Sequence, residues 1–255
     1  LGAANVAYCV CILPESLQPR APAAGQDSPL SPASAGSDSP ASPSMRAQLN
    51  PLKAFRLLSP RGPAGPAAAS ALRRICGVLF FLYTAKWSMV GVILMYAEIH
   101  FDWSPQRAGM LLTMWGAAQF CSMMCLKLMD RPSGRAERER RTSWLGLFAG
   151  LCGMLILSGS THDWVLLPGM GVGAVSMMSY TALSSLAGRL AEPSMSGEVQ
   201  CLVGTTLDLT EVIGPPFFGA LMRLSLNPSS PFPDSFPFMC GCLLVLAALL
   251  IHRRV

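Results

Sequence analysis

Charge is what this sequence has least of. Asp, Glu, Lys and Arg together make up 13% of its 255 residues, against about 25% in an ordinary soluble domain. So few charges cannot clothe a water-facing surface of this size, which argues against one or two soluble domains. Histidine is also scarce. His100, His162 and His252 fall at loops or at the terminus, so no histidine-based metal site is expected. No nucleophile elbow, Walker loop or HExxH pattern is present, and neither an enzyme nor a bound cofactor is expected. The basic residues are not gathered on one soluble face with stacking aromatics, which excludes a nucleic-acid partner.

Apolar material is abundant instead. Hydrophobic residues account for 51% of the chain, and the mean hydropathy is +0.43. Leu1 to Leu13 is too short to cross a bilayer, which takes roughly 20 residues, and is read as the tail of a truncated transmembrane helix. Pro14 to Arg74 is rich in Pro, Ala and Ser. It is expected to be a disordered linker, because such a composition buries too little apolar surface to offset its conformational entropy. Asn50 to Leu58 within it is basic and amphipathic, which suits a membrane surface. Six apolar runs follow: Ile75–Ala97, Ala108–Met129, Thr142–Ser160, Trp164–Ala187, Val199–Met222 and Phe236–Ile251. They show no sustained period-2 alternation. Each backbone N–H and C=O must be bonded within its own segment in hydrocarbon. The expected fold is therefore an all-α membrane protein, a six-transmembrane-helix bundle spanning residues 75–255.

Orientation follows from Lys and Arg. One side collects the linker, the loop carrying Lys127, Arg131, Arg135, Arg138, Arg140 and Arg141, and also Arg189, Arg253 and Arg254. The other side has Arg107 and Arg223, with Trp103, Trp164 and Phe232 as an aromatic edge. This puts the linker and the C-terminus in the cytoplasm. The nine cysteines are spaced unlike a zinc site and are read as small hydrophobes at helix contacts, Cys121 and Cys125 included.

The chemistry lies in charges placed within the apolar runs. Asp208 and Glu211, three residues apart, project from one helix face, and Lys86 lies inside the first run. A charge at mid-bilayer costs about 2.5–3.5 kcal/mol on insertion scales, so such groups face a cavity or one another. Two readings are open: a protonatable or substrate-contacting set, or a structural ion pair between spans. Gly214-Pro215-Pro216 in the same run predicts a kinked, closely packed helix, since proline removes a helix hydrogen bond and glycine admits a neighbour. Gln119, Tyr180, Thr181, Ser184 and Ser185 could line a cavity, although Ser and Thr also satisfy themselves on helix carbonyls.

Several ordered segments carry a family resemblance: Leu13-Pro14-Glu15-Ser16-Leu17, Asn50-Pro51-Leu52-Lys53-Ala54-Phe55-Arg56, and Phe101-Asp102-Trp103-Ser104. To these add Asp130-Arg131-Pro132-Ser133-Gly134-Arg135, Gly197-Glu198-Val199-Gln200, Ile213-Gly214-Pro215-Pro216 and Phe236-Pro237-Phe238. In this order the chain resembles the major facilitator superfamily, its tetracycline-efflux-like branch, from the end of helix six through helix twelve. The resemblance implies the C-terminal half of a twelve-helix transporter, with a preceding six-helix repeat as its missing partner. It implies proton-coupled secondary transport of a small molecule by alternating access. Lys86, Gln119, Tyr180, Asp208 and Glu211 would then line the substrate and proton path. Asp130, Arg131, Gly134 and Arg135 would form a gating loop, and Gly214, Pro215 and Pro216 the helix kink. The alternatives are a non-transporting receptor or scaffold of the same fold, and a stand-alone six-span helper subunit.

Overall fold

The computed structural model describes residues 55–59, 65–128, 135–190, 195–227 and 229–254. The chain divides into two units, Leu1–Ser44 and Met45–Val255, and every described residue lies in the second. The expected helix tail at Leu1–Leu13, most of the linker, and Asp130, Arg131 and Gly134 fall outside the described residues.

Those residues fold into six long helical segments, α1 (Gly65–Phe101), α2 (Pro105–Leu128), α3 (Arg135–Ser158), α4 (Asp163–Leu190), α5 (Ser196–Ser225) and α6 (Phe236–His252). Four of them, α1 to α4, are long and apolar enough to cross a membrane. α5 is 30 residues long but is not among the four, and α6 is apolar but only 17 residues long. The fifth run was expected to be long enough to span and the sixth to be short; among the described residues, four helices meet the length and hydropathy of a span and α5 is not one of them. In α5 the polar residues Thr205, Thr206, Asp208, Thr210 and Glu211 dilute the apolar character.

The first helix corrects the expected linker boundary. α1 begins at Gly65, ahead of the predicted Ile75, and takes up the Pro/Ala/Ser-rich residues before it. Proline is tolerated in a first turn, and alanine is the best helix former. The sequence Gly65-Pro66-Ala67-Ala68-Ala69 therefore opens a helix rather than prolonging a linker. Leu57, in the short 3₁₀ turn Phe55–Leu58, is fully buried.

α1 ends in a tight turn whose residues explain themselves. Asp102 adopts the left-handed conformation with φ 50°, and its N–H donates to the Ala97 carbonyl. Aspartate tolerates that region better than most side chains. The Trp103 N–H follows onto the same carbonyl at 3.3 Å. Ser104 then caps α2 by accepting from the Arg107 N–H at 3.4 Å, and Pro105 occupies the first helical position. Trp103, expected at an aromatic edge, is buried beneath the Arg107 guanidinium, 4.4 Å from its ring centroid. Trp164 and Phe232 do remain exposed.

The core gathers on α1, which packs against α4, α5 and α6. Half of its apolar window is buried, whereas 11% of that of α2 is. α3 packs between α4 and α6, and α2 leans on α4. Because α2 buries so little, Cys121 and Cys125 are exposed rather than sitting at helix contacts, as is Cys201 on α5. α3 and α4 approach closely at Gly153, where an added Cβ would stand 2.7 Å from the Gly173 Cα, and again at Gly146 beside Ser179. His252, expected at a free terminus, is fully buried instead. Its Nε2 meets the Ser143 hydroxyl at 2.5 Å, and its ring lies edge-on to Trp144.

Inside α1, Ser88–Val92 form a π turn. The Ser88 hydroxyl donates back to the Ala85 carbonyl at 2.7 Å, and Met89 packs on Gly173 of α4. α5 runs as one unbroken helix through Pro215 and Pro216. Its buried stripe of Val199, Leu202, Val203, Thr206, Thr210, Gly214, Phe218 and Met222 follows the helical period. Neither proline has an N–H to give, so the carbonyls of Glu211 and Val212 lose their helical donors. Of the glycines in this helix, Gly214 meets the Trp87 indole directly, while Gly204 and Gly219 have open space where a Cβ would go. Gly214→Val should therefore lower stability by about 1–3 kcal/mol through overpacking. Gly204→Ala and Gly219→Ala should stay within about 0.5 kcal/mol of the parent. Thermal unfolding of the three variants in one detergent measures the contrast.

Candidate functional site

The site is built where α1, α2 and α5 meet. Lys86 stands one residue before Trp87 and two before the π turn, on the helix with the largest buried surface. A long side chain leaving such a helix keeps its stem among apolar neighbours and must find a partner for its charged end. Its ammonium lies over two aromatic faces, 5.1 Å from the Tyr83 ring centroid and 5.2 Å from that of Trp115. Tyr83 is one helical turn before Lys86 on α1, and Trp115 comes from α2. Both distances fall within the range where a ring quadrupole attracts a cation.

Tyr83, Lys86, Trp87, Val90, Trp115 and Glu211 border a cavity of about 160 Å³. Glu211 reaches it from α5. The contact of Gly214 with Trp87 sets how closely α5 approaches α1 at this level. Of the five expected site residues, Lys86 and Glu211 are thus brought together in one lining. Tyr180 joins indirectly, its ring edge-on to that of Tyr83 at 5.8 Å. Gln119 lies one turn beyond Trp115 on the same face of α2. Asp208 is exposed and is not part of the lining.

Two hydrogen-bond donors at this place have no acceptor among the described residues, the Trp115 Nε1–H and the Gln119 side-chain amide, and both nitrogens are buried. Buried donors left unpaired are costly and uncommon. Thr84 on α1, next to Tyr83, also has a buried hydroxyl with no partner among the described residues, whereas several hydroxyls of α4 and α5 are accounted for elsewhere. Thr206 and Thr210 donate to carbonyls of their own helix at 2.8 and 2.7 Å. Thr181 donates to the Met123 sulfur, and Ser184 to the Gln200 amide oxygen.

A second polar group lies at the other end of α3. Glu139 accepts from the Ser185 hydroxyl at 2.8 Å and pairs with Arg189 at 3.2 Å, so one carboxylate ties α3 to α4. Arg135, expected in a gating loop, opens α3. Sequence reasoning passed over Tyr83, Trp87, Trp115 and Glu139. The available signal was the run Tyr83-Thr84-Ala85-Lys86-Trp87, which flanks an intrahelical lysine with aromatics. No group of three or more His, Cys, Asp or Glu side chains suited to a metal ion occurs among the described residues.

Apolar helices of spanning length around a charged, aromatic-walled cavity define a helical integral membrane protein. The chain is 22% identical over 211 residues to the tetracycline resistance protein, class H, of Pasteurella multocida, covering 78% of this chain and 50% of the relative. It is 22% identical over 187 residues to the tetracycline resistance protein, class G, of Vibrio anguillarum, covering 73% and 46%. The chain thus spans about half the length of the curated relatives it matches. No protein-family model matches it.

The double cation–π contact can be measured directly. Replacing Lys86 by Met should cost less in a Trp115→Leu background than in the parent. The coupling energy expected from a thermal-stability double-mutant cycle is about 0.5–2 kcal/mol.

Proposed function

We propose that this chain is the C-terminal half of a major-facilitator-type secondary transporter, moving a small molecule by proton-coupled alternating access. The observation that carries the reading is the meeting of Lys86 and Glu211, from separate helices, at one cavity walled by Tyr83, Trp87 and Trp115. Charges within membrane-spanning helices are expensive unless they serve a cavity or each other. Here they border a shared space. The similarity to two tetracycline resistance proteins supports the same reading.

In this mechanism Glu211 carries the proton, alternating between charged and neutral as the cavity opens to either side. Lys86 supplies the fixed countercharge. A preceding six-helix repeat closes the other wall, and substrate passes between the halves near the midplane. Asp208, one turn before Glu211 but outside the lining, holds charge at the approach. The loop of Asp130, Arg131, Gly134 and Arg135 gates the cytoplasmic side, and the Glu139–Arg189 pair joins α3 to α4 near it. Excess Lys and Arg place the linker and the C-terminus in the cytoplasm. The working environment is the lipid bilayer.

Flux driven by an imposed pH gradient, measured in proteoliposomes with a panel of labelled small molecules, tests the reading. Glu211→Gln and Lys86→Gln should each lower flux about tenfold or more, and Asp208→Asn by less. Parental flux in both cavity variants would overturn it.

A further inference from the structure

We propose that the arginine-rich corner where α1, α3 and α6 meet binds the headgroup of an anionic phospholipid whose acyl chains lie along the outer face of α6. The proposal goes beyond the transport reading and does not depend on it. The corner is held together at the last residue of α6. The Ser143 hydroxyl of α3 meets the ring of the buried His252 at 2.5 Å and lies 2.9 Å from the Arg140 carbonyl, to which it can donate. Arg140 is thereby placed beside the end of α6, where Arg253 and Arg254 directly follow His252. From α1, the Arg74 guanidinium donates to the Arg254 carbonyl. Arginines from three helices therefore converge on one place. The acids of this end are engaged elsewhere: Glu137 pairs with Arg141 and Glu139 with Arg189. Arg74, Arg140, Arg253 and Arg254 are exposed and form no ion pair with a carboxylate among the described residues. A guanidinium fork matches the paired oxygens of a phosphate, and several forks from separate elements can surround one.

The outer face of α6 supplies the other half of a lipid's chemistry. The buried stripe of this helix includes Phe238, Gly241, Val245, Ala248 and His252. Met239, Leu243, Leu246 and Leu250 are exposed on the other side. They recur at intervals of four, three and four residues, so they form one stripe along the helix. Arg253 and Arg254 come three and four residues after Leu250, and the Arg253 N–H still makes the helical bond to the Leu249 carbonyl. The arginines thus continue the same face. An apolar track that ends in cations fits an amphiphile with an anionic head. A soluble phosphate would use the arginines and leave the leucines unused. Basic clusters between helix ends are a recognised setting for acidic headgroups. α6 contributes no side chain to the Lys86 cavity, so the two sites can be tested apart.

The experiment offers the full chain, in a neutral detergent, equal amounts of dioleoyl phosphatidylglycerol and dioleoyl phosphatidylcholine, and native mass spectrometry counts the lipid retained. Phosphatidylglycerol should be kept in preference. That preference should fall about fivefold for each arginine removed in Arg253→Gln and Arg254→Gln. Both variants keep the main-chain carbonyl that Arg74 uses, and melting in phosphatidylcholine alone checks that they fold. Arg140→Gln, on a different helix, gives an independent reading of the same site. Arg107→Gln with Arg223→Gln removes two positive charges at the far end of the bundle and should leave the preference unchanged. Excess inorganic phosphate should not displace the lipid. Equal retention of the two lipids, an unchanged preference in the Arg253→Gln/Arg254→Gln protein, an equal loss in the far-end control, or displacement by inorganic phosphate would each overturn the proposal.

Discussion

An ammonium group inside an apolar bundle must be compensated by what touches it, because neither lipid nor packed aliphatic side chains can solvate it. Lys86 meets that demand with two ring faces, one from its own helix and one from α2. The arrangement around it follows. α2 buries little of its length, yet it must stand close enough to lay Trp115 against Lys86. α5 must approach α1 closely enough to bring Glu211 to the same space, and the missing side chain at Gly214 lets it do so against Trp87. Three helices are thus positioned by the needs of one charge.

The remainder of the bundle supports α1. It is the helix that α4, α5 and α6 all touch, and its buried residues run from Ala69 to Ala97. α3 completes the packing from behind, through the Gly153–Gly173 approach to α4 and through the contact of Ser143 with the buried His252 of α6. Two hydroxyls here are settled on nearby carbonyls, while the buried Nδ1 of His252 has no partner among the described residues. The Ser179 hydroxyl donates to the Ser143 carbonyl at 2.9 Å, and Tyr96 donates to the Ser160 carbonyl at 3.2 Å. Bonds of this kind let hydroxyls occupy a bundle interior without demanding water.

The sequence reveals the helical character of the described residues, because apolar runs separated by polar or proline-bearing turns have no other economical backbone solution in hydrocarbon. It reveals Lys86 and Glu211 as well, since charge inside an apolar run stands out without any structure. Their surroundings are harder to read. Trp115 is more than twenty positions from Lys86 and looks like any tryptophan in an apolar helix; only the docking of α2 makes it a partner. The start of α1 is hidden by composition, as alanine and proline serve both linkers and helix openings. The burial of His252 is hidden by position, as a residue near a terminus gives no sign of being packed. Cys121 and Cys125 illustrate the opposite error, apolar by character but placed on a helix that contributes little to the interior.

The π turn at Ser88–Val92 fixes the phase of everything beyond it. An α-helix advances about 100° per residue, and a wide turn absorbs one residue more than a regular one. The face of α1 that carries Tyr83 and Lys86 and the face that carries Ile93, Tyr96 and Ala97 are therefore set independently of each other. Loss of a single residue between Trp87 and Ile93 would return that stretch to a regular α-helix and keep Tyr96 turned toward Ser160 and Phe238. The same loss elsewhere between Lys86 and Tyr96 has no such reserve to draw on and would swing Tyr96 away by about 100°.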